Sequence, residues 1–124
     1  MRCEPRRGAR DLAHLEIFVR GRVVLIPRGI GRGRGCDYPL RTTEPTGLVE
    51  VERGARRTLG DLFAIWGQPL GRHRVLSFRG ALRAYVGSRQ NRGDPRAIEL
   101  RDHAVVTLEI GRYVRPHASY VFPP

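Results

Sequence analysis

Apolar positions recur along this chain with two different periods, and the place where the period changes marks its one helix. In TLGDLFAIWGQ, residues 58 to 68, Leu59, Leu62, Phe63 and Trp66 fall at i, i+3, i+4 and i+7, which gathers them into one stripe of a 3.6-residue helix. Thr58 stands where an N-cap hydroxyl is wanted and Asp61 favours the positive end of the helix dipole, while Gly67 and Pro69 supply a left-handed stop and a residue that cannot continue. The spacing predicts about two turns of helix with the stripe against a core. Truncation of Trp66 to alanine is then expected to cost about 3–5 kcal/mol.

Elsewhere the period is two, or the run is apolar throughout. HLEIFVRGRVVLIP, residues 14 to 27, places two β-rich runs around Arg20-Gly21 and predicts a tight hairpin, although Arg-Gly is a weaker turn pair than Asn-Gly. Leu15, Ile17 and Val19 alternate with His14, Glu16 and Phe18, and the second arm reads as a strand covered on both faces. LVEVE puts Val49 and Val51 inward and Glu50 and Glu52 outward; RHRVLSF, ALRAYVG, AIEL and AVVTLEI are further strands. The tail RYVRPHASYVFPP is aromatic and proline-rich, and burial of Tyr113, Tyr120 and Phe122 predicts that it lies extended across the domain.

These elements make an α+β domain: a small, mostly antiparallel sheet covered by one short helix, arranged like a β-grasp. A β-sandwich with one helical connection is the competing architecture. At 124 residues the chain fits one domain with its own core. Residues 12–124 are assigned to it, and residues 1–11, with Arg2, Arg6, Arg7 and Arg10 and no apolar period, to a flexible basic arm.

Charge changes the picture more than composition does. The formal net charge is +11, and all 23 basic residues are arginine, so the chain suits an anionic ligand or surface, while the absence of lysine marks a bias acting along its whole length. In RGIGRGRG, residues 28 to 35, Arg28, Arg32 and Arg34 alternate with glycines in the manner of flexible segments that contact nucleic acid. No GxGxxG register fits there, and a phosphate-binding P-loop is excluded without lysine.

No run approaches a membrane span and no apolar signal core follows the N-terminus, so the chain as written reads as cytoplasmic. Cys3 and Cys36 are too few for a disulfide framework, though one bridge stays open. His14, His73, His103 and His117 are scattered without metal-site spacing. If the fold assembles a zinc or copper site, His14, Cys36, His103 and His117 are the first candidate ligands, since these ions favour imidazole and thiolate. No nucleophile elbow is present, and Glu50 and Glu52, on one strand face, are expected to pair with guanidinium groups at a solvated surface. An enzyme is not expected.

HLEIFVRGR, IPRGIG, Cys36, PLRTTEPTGLVEVE, TLGDLFAIWGQPL, GDPRAIEL, His103 and PHASYVFP together resemble an uncharacterised family of small bacterial domains, common in actinobacteria. The resemblance spans about residues 12 to 124 and implies no established activity. It implies histidine-rich motifs, HAHL, HTHD and HIE, whose density points to metal in relatives. Here His14 and Cys36 match, whereas Arg41 and Thr43 stand where HTH has histidines and Glu50 where HIE begins, so part of any such site is lost. The resemblance also implies an N-terminal anchor or signal, and an extracytoplasmic location if the true start lies upstream. The expected function is a binding or interaction module for a protein partner or anionic ligand, with metal binding and nucleic-acid binding as the alternatives.

Overall fold

The hairpin around Arg20-Gly21 forms, and its first arm becomes the central strand. In the computed structural model, which describes residues 1–5, 8–54 and 57–124, β1 (Arg10–Val19) turns into β2 (Arg22–Val24) through Arg20 and Gly21, both at positive φ. Two left-handed residues give the turn whose twist matches that of paired strands. β3 (Leu40–Arg41) and β4 (Leu48–Glu52) continue on the same side of β1, and the last strand, β10 (Val105–Ile110), runs parallel to β1 on the other. β8 (Leu82–Val86) and β9 (Arg89–Asn91) complete a seven-stranded sheet in the order β3-β4-β1-β10-β8-β9, with β2 beside the end of β1. Except for β1 with β10 every pairing is antiparallel, and neither sheet closes on itself.

The helix, α1, spans Leu59–Trp66 with both predicted caps. Thr58 Oγ1 accepts from the Asp61 N–H and the Asp61 carboxylate accepts from the Thr58 N–H, so two otherwise unpaired amides are satisfied reciprocally. Gly67, at φ 75°, and Gln68 return their N–H groups to Ala64 and Phe63, closing the C-terminus in the left-handed way expected of glycine. Leu59, Leu62 and Phe63 are fully buried in a core with Leu15, Ile17, Val49, Val51, Val106 and Leu108, one face of the sheet. Trp66 is only half-buried at the rim of that core, its ring 5.3 Å from Phe63.

Two strand expectations change. RHRVLSF breaks into β6 (Arg74–Val75) and β7 (Phe78–Arg79), which with β5 (Leu70–Gly71) make a separate three-stranded sheet. The chain folds back at Leu76, φ 55°, whose side chain is buried; burial holds a leucine where turn chemistry would ask for glycine. AIEL is not a strand: Pro95–Ala97 is a single 3-10 turn capped by Asp94, and only Glu99 bridges, to Thr58. Proline pre-sets the turn dihedral there.

The basic arm expected over residues 1–11 is tied down where it is described. Cys3 is disulfide-bonded to Cys36, Glu4 exchanges both backbone hydrogen bonds with Asp37, and Arg10 already belongs to β1. Arg6 and Arg7 lie outside the described residues. The bridge joins positions 33 apart, and a loop of that length constrains the unfolded chain by about 2–4 kcal/mol. Cys3→Ser is therefore expected to lower stability by that amount in a urea titration under non-reducing conditions, with an unmoved midpoint as the contrary result.

Candidate functional site

The face of the sheet turned away from α1 is polar and yet buried. Strand alternation places His14, Glu16 and Phe18 of β1 on that face, opposite Val105, Thr107 and Glu109 of β10, with Arg83 and Tyr85 of β8 beyond. Water does not reach it: Thr107 and Glu109 are 0% exposed and His14 5%. The cover is the C-terminal tail, which crosses this face as a strap. Its Tyr120 ring stacks on His14 at 3.8 Å, Phe122 stacks on His103 at 4.4 Å, and Tyr120 and Phe122 meet edge to face. Tyr113, largely exposed, touches Tyr85 with its edge. The predicted extended tail thus forms, with Tyr120 and Phe122 rather than Tyr113 as its anchors.

Polar contacts hold the strap along its length. Glu109 Oε1 accepts from Arg83 Nη2 and from the Val114 N–H, each at 3.2 Å, and His117 Nδ1 lies 2.5 Å from Glu16 Oε1. His14 Nε2 is 2.8 Å from the Thr46 carbonyl; a carbonyl only accepts, so this nitrogen carries the proton and Nδ1 has the lone pair. That Nδ1, Thr107 Oγ1 and Glu109 Oε2 are buried polar atoms with no hydrogen-bond partner among the described residues. Beside the strap a cleft of about 520 Å³ opens between His14, Glu16, Thr46, His117, Ser119 and Tyr120.

Burial is the main influence on His14 and lowers its pKa, outweighing the Thr46 bond and the Glu16 charge, while His117 lowers it further. A histidine whose folded pKa is depressed binds fewer protons than in the unfolded chain, so its contribution to stability is present above the unfolded value, about 6.5, and is lost as pH falls from there through the lowered folded value. Urea midpoints are expected to drop as pH is lowered from 7.5 to 5. His14→Phe, which keeps a ring on Tyr120, should flatten that slope, and an equally steep slope in the variant would refute the assignment.

The four candidate metal ligands do not assemble. Cys36 is bonded to Cys3 and offers no thiolate. His14 and His117 share the cleft, whereas His103 is exposed and stacks on Phe122. Among the described residues no three or more His, Cys, Asp or Glu side chains are grouped so as to hold a metal ion. His14 and His103 instead act as ring platforms for the strap. Glu16, Thr107 and Glu109 are the polar groups that sequence reasoning missed on this face; the only available signal was the aromatic tail that follows them.

The Arg-Gly loop is structured by what flanks it. Ile30 is buried in the core and pairs through backbone with Thr42, while the Gly33 N–H bonds to Cys36. Gly31 sits at positive φ so close to Leu40 that a Cβ would overlap its carbonyl oxygen. Arg32 lies 3.6 Å from Asp37, and Arg28 and Arg34 are exposed. Arg41, Thr43 and Glu50 come together: Arg41 Nε is 3.2 Å and Thr43 Oγ1 3.3 Å from the Glu50 carboxylate. The pairing expected for Glu50 therefore exists, but it is buried, with side chains 4% and 6% exposed, because β3 and β4 lay the two residues side by side in register.

A further group of arginines escaped notice because it is spread through the sequence. Arg72 lies in the turn between β5 and β6, and its Nη1 donates to the Arg92 carbonyl at 3.2 Å. In the adjoining strands Arg74 stands directly opposite Arg79. Compared with protein-family models, with curated proteins and with solved structures, the chain matches none.

Proposed function

We propose that this chain is a non-enzymatic binding module whose ligand is anionic and is held by arginine side chains. The observation that carries the reading is where the acids lie. Asp11, Asp37, Glu50, Asp94, Glu99 and Glu109 each sit against a particular arginine, namely Arg53, Arg32, Arg41, Arg96, Arg101 and Arg83 in turn. Among the described residues, Arg28 and Arg34 in the loop and Arg72, Arg79 and Arg92 around the smaller sheet are exposed and form no ion pair, and the same holds for Arg20, Arg22, Arg89, Arg112 and Arg115; the charge of Asp94 reaches Arg72 without pairing with it. Such a surface attracts anions over several ångströms and loses that attraction as salt screens it. Binding to inorganic polyphosphate should weaken steeply between low and physiological salt, by counterion release. Affinity that stays flat over that range would remove the reading.

Three further features fit this reading. A β-grasp-like reading of the sheet is supported by its central parallel pair, β1 with β10, flanked by the β1–β2 and β8–β9 hairpins. If the family resemblance holds, the Arg41–Glu50 ion pair stands where relatives carry histidines, which favours a binding surface over a metal centre in this chain. The Cys3–Cys36 bridge favours an oxidising, extracytoplasmic setting.

A further inference from the structure

Between the β5–β6 turn and β9 lies a polar pocket of about 200 Å³. Its floor is Leu82 and Ala84 of β8, and its rim carries Arg72, Gln90, Asn91 and Arg92. The Leu82 N–H donates to the Arg72 carbonyl at 2.9 Å, which fixes the turn against β8, and Asn91 is held opposite Ala84 by strand register. No acidic side chain lines it. The acid next to it in sequence, Asp94, is occupied: the Arg96 backbone N–H and Nε donate to one carboxylate oxygen and Nη2 to the other, at 3.0 to 3.1 Å. Among the described residues neither Arg72 nor Arg92 is in an ion pair; Arg72 is held in place by its bond to the Arg92 carbonyl, and the charge of Asp94 reaches it from beyond ion-pair distance.

We infer that this pocket is the anion site of the module, and that its ligand is a small phosphorylated molecule; the inference rests on the anion-binding reading above. A guanidinium presents a planar fork of donors that matches phosphate oxygens in pairs, and two forks on one rim can meet a tetrahedral group from two sides. Because Arg72 is already tethered through Nη1, less side-chain freedom is lost when its remaining donors engage. The side-chain amide of Asn91, on the same sheet face as Ala84, adds a neutral donor, and Leu82 and Ala84 offer a small apolar floor for the organic part. A pocket floored by β8 takes a terminal phosphate; the exposed, unfloored Arg28 and Arg34 offer no comparable enclosure.

The test is a titration of the full-length chain with inorganic phosphate and, separately, with a single-stranded DNA oligonucleotide, followed by amide chemical shifts. Saturable shifts confined to residues 72 and 90–93 are expected with phosphate, with affinity reduced roughly tenfold or more in Arg72→Ala and Arg92→Ala. Arg72→Lys, which keeps the charge and loses the fork, should recover only part of it, and Arg28→Ala with Arg34→Ala should leave it unchanged. Both pocket arginines are exposed, and an unchanged amide spectrum away from the pocket verifies that each variant is folded. Undiminished binding in Arg72→Ala and Arg92→Ala, or shifts centred on residues 28–34, would overturn this site while leaving the module an anion binder. Oligonucleotide binding unaffected by the pocket variants and far tighter than phosphate would replace the small ligand by nucleic acid. No response to any anion would sink both inferences.

Discussion

Phe63→Ala is expected to destabilise the domain by about 3–5 kcal/mol, the cost of emptying a large aromatic site in a packed core. Phe63 is 2% exposed, and its helix neighbours Leu59 and Leu62 are at 0%, so the hole would be lined by helix and strand residues already packed in one core, with little freedom to collapse into it. The sequence stripe singles out Trp66 as the residue with most to lose, because it is the largest. The structure reverses that order: Trp66 packs on Phe63 from the core's rim and keeps part of its surface in water, so its truncation removes less contact and leaves no enclosed cavity. Urea titration of the two variants side by side checks the ranking. A Phe63→Ala midpoint close to that of the parent would mean that α1 does not close the core.

How much could be read in advance follows from which interactions are local. α1 was legible at both ends because Thr58, Asp61, Gly67 and the four-residue stripe act within two turns of one another. The turn of the β1–β2 hairpin was legible for the same reason, a turn pair between two β-rich runs, but its second arm, read as covered on both faces, is three residues long with Val23 67% exposed. The sheet order was not, since β1 meets β10 across some ninety residues and only the fold decides that pairing. Polarity misled at Glu50, read as outward because it alternates with Val49 and Val51. Alternation identifies which face a residue is on; whether water reaches that face depends on the strap and on β3, which lie elsewhere in the chain. The site suffered most from this. His14, His103 and His117 looked like ligands because of their chemistry, whereas their positions under and beside Tyr120 and Phe122 are tertiary facts. Arg72 and Arg92 drew no attention among 23 arginines, since only a turn and a hairpin brought together distinguish them from the rest.

Glu50→Ala is the second substitution with a large expected effect, again about 3–5 kcal/mol, and for a different reason. Arg41 is nearly enclosed, and with Glu50 intact its Nε faces one Glu50 oxygen at 3.2 Å while Nη1 donates to the Tyr38 carbonyl at 3.1 Å. Asp37 stands 3.8 Å away and already faces Arg32. Deleting the Glu50 carboxylate leaves a buried guanidinium with that shared, more distant acid, and also removes the partner of Thr43 and of Arg10, which lies 3.5 Å from Glu50. The penalty comes from the charge left behind, so removing both charges should cost less than removing one. In a cycle of Glu50→Leu, Arg41→Met and the double variant, the double variant is expected to recover stability relative to Glu50→Leu alone. Additive losses, or a Glu50→Ala cost below about 1 kcal/mol, would place the pair in the range of exposed ion pairs and return Glu50 to the solvated face that its strand pattern first indicated.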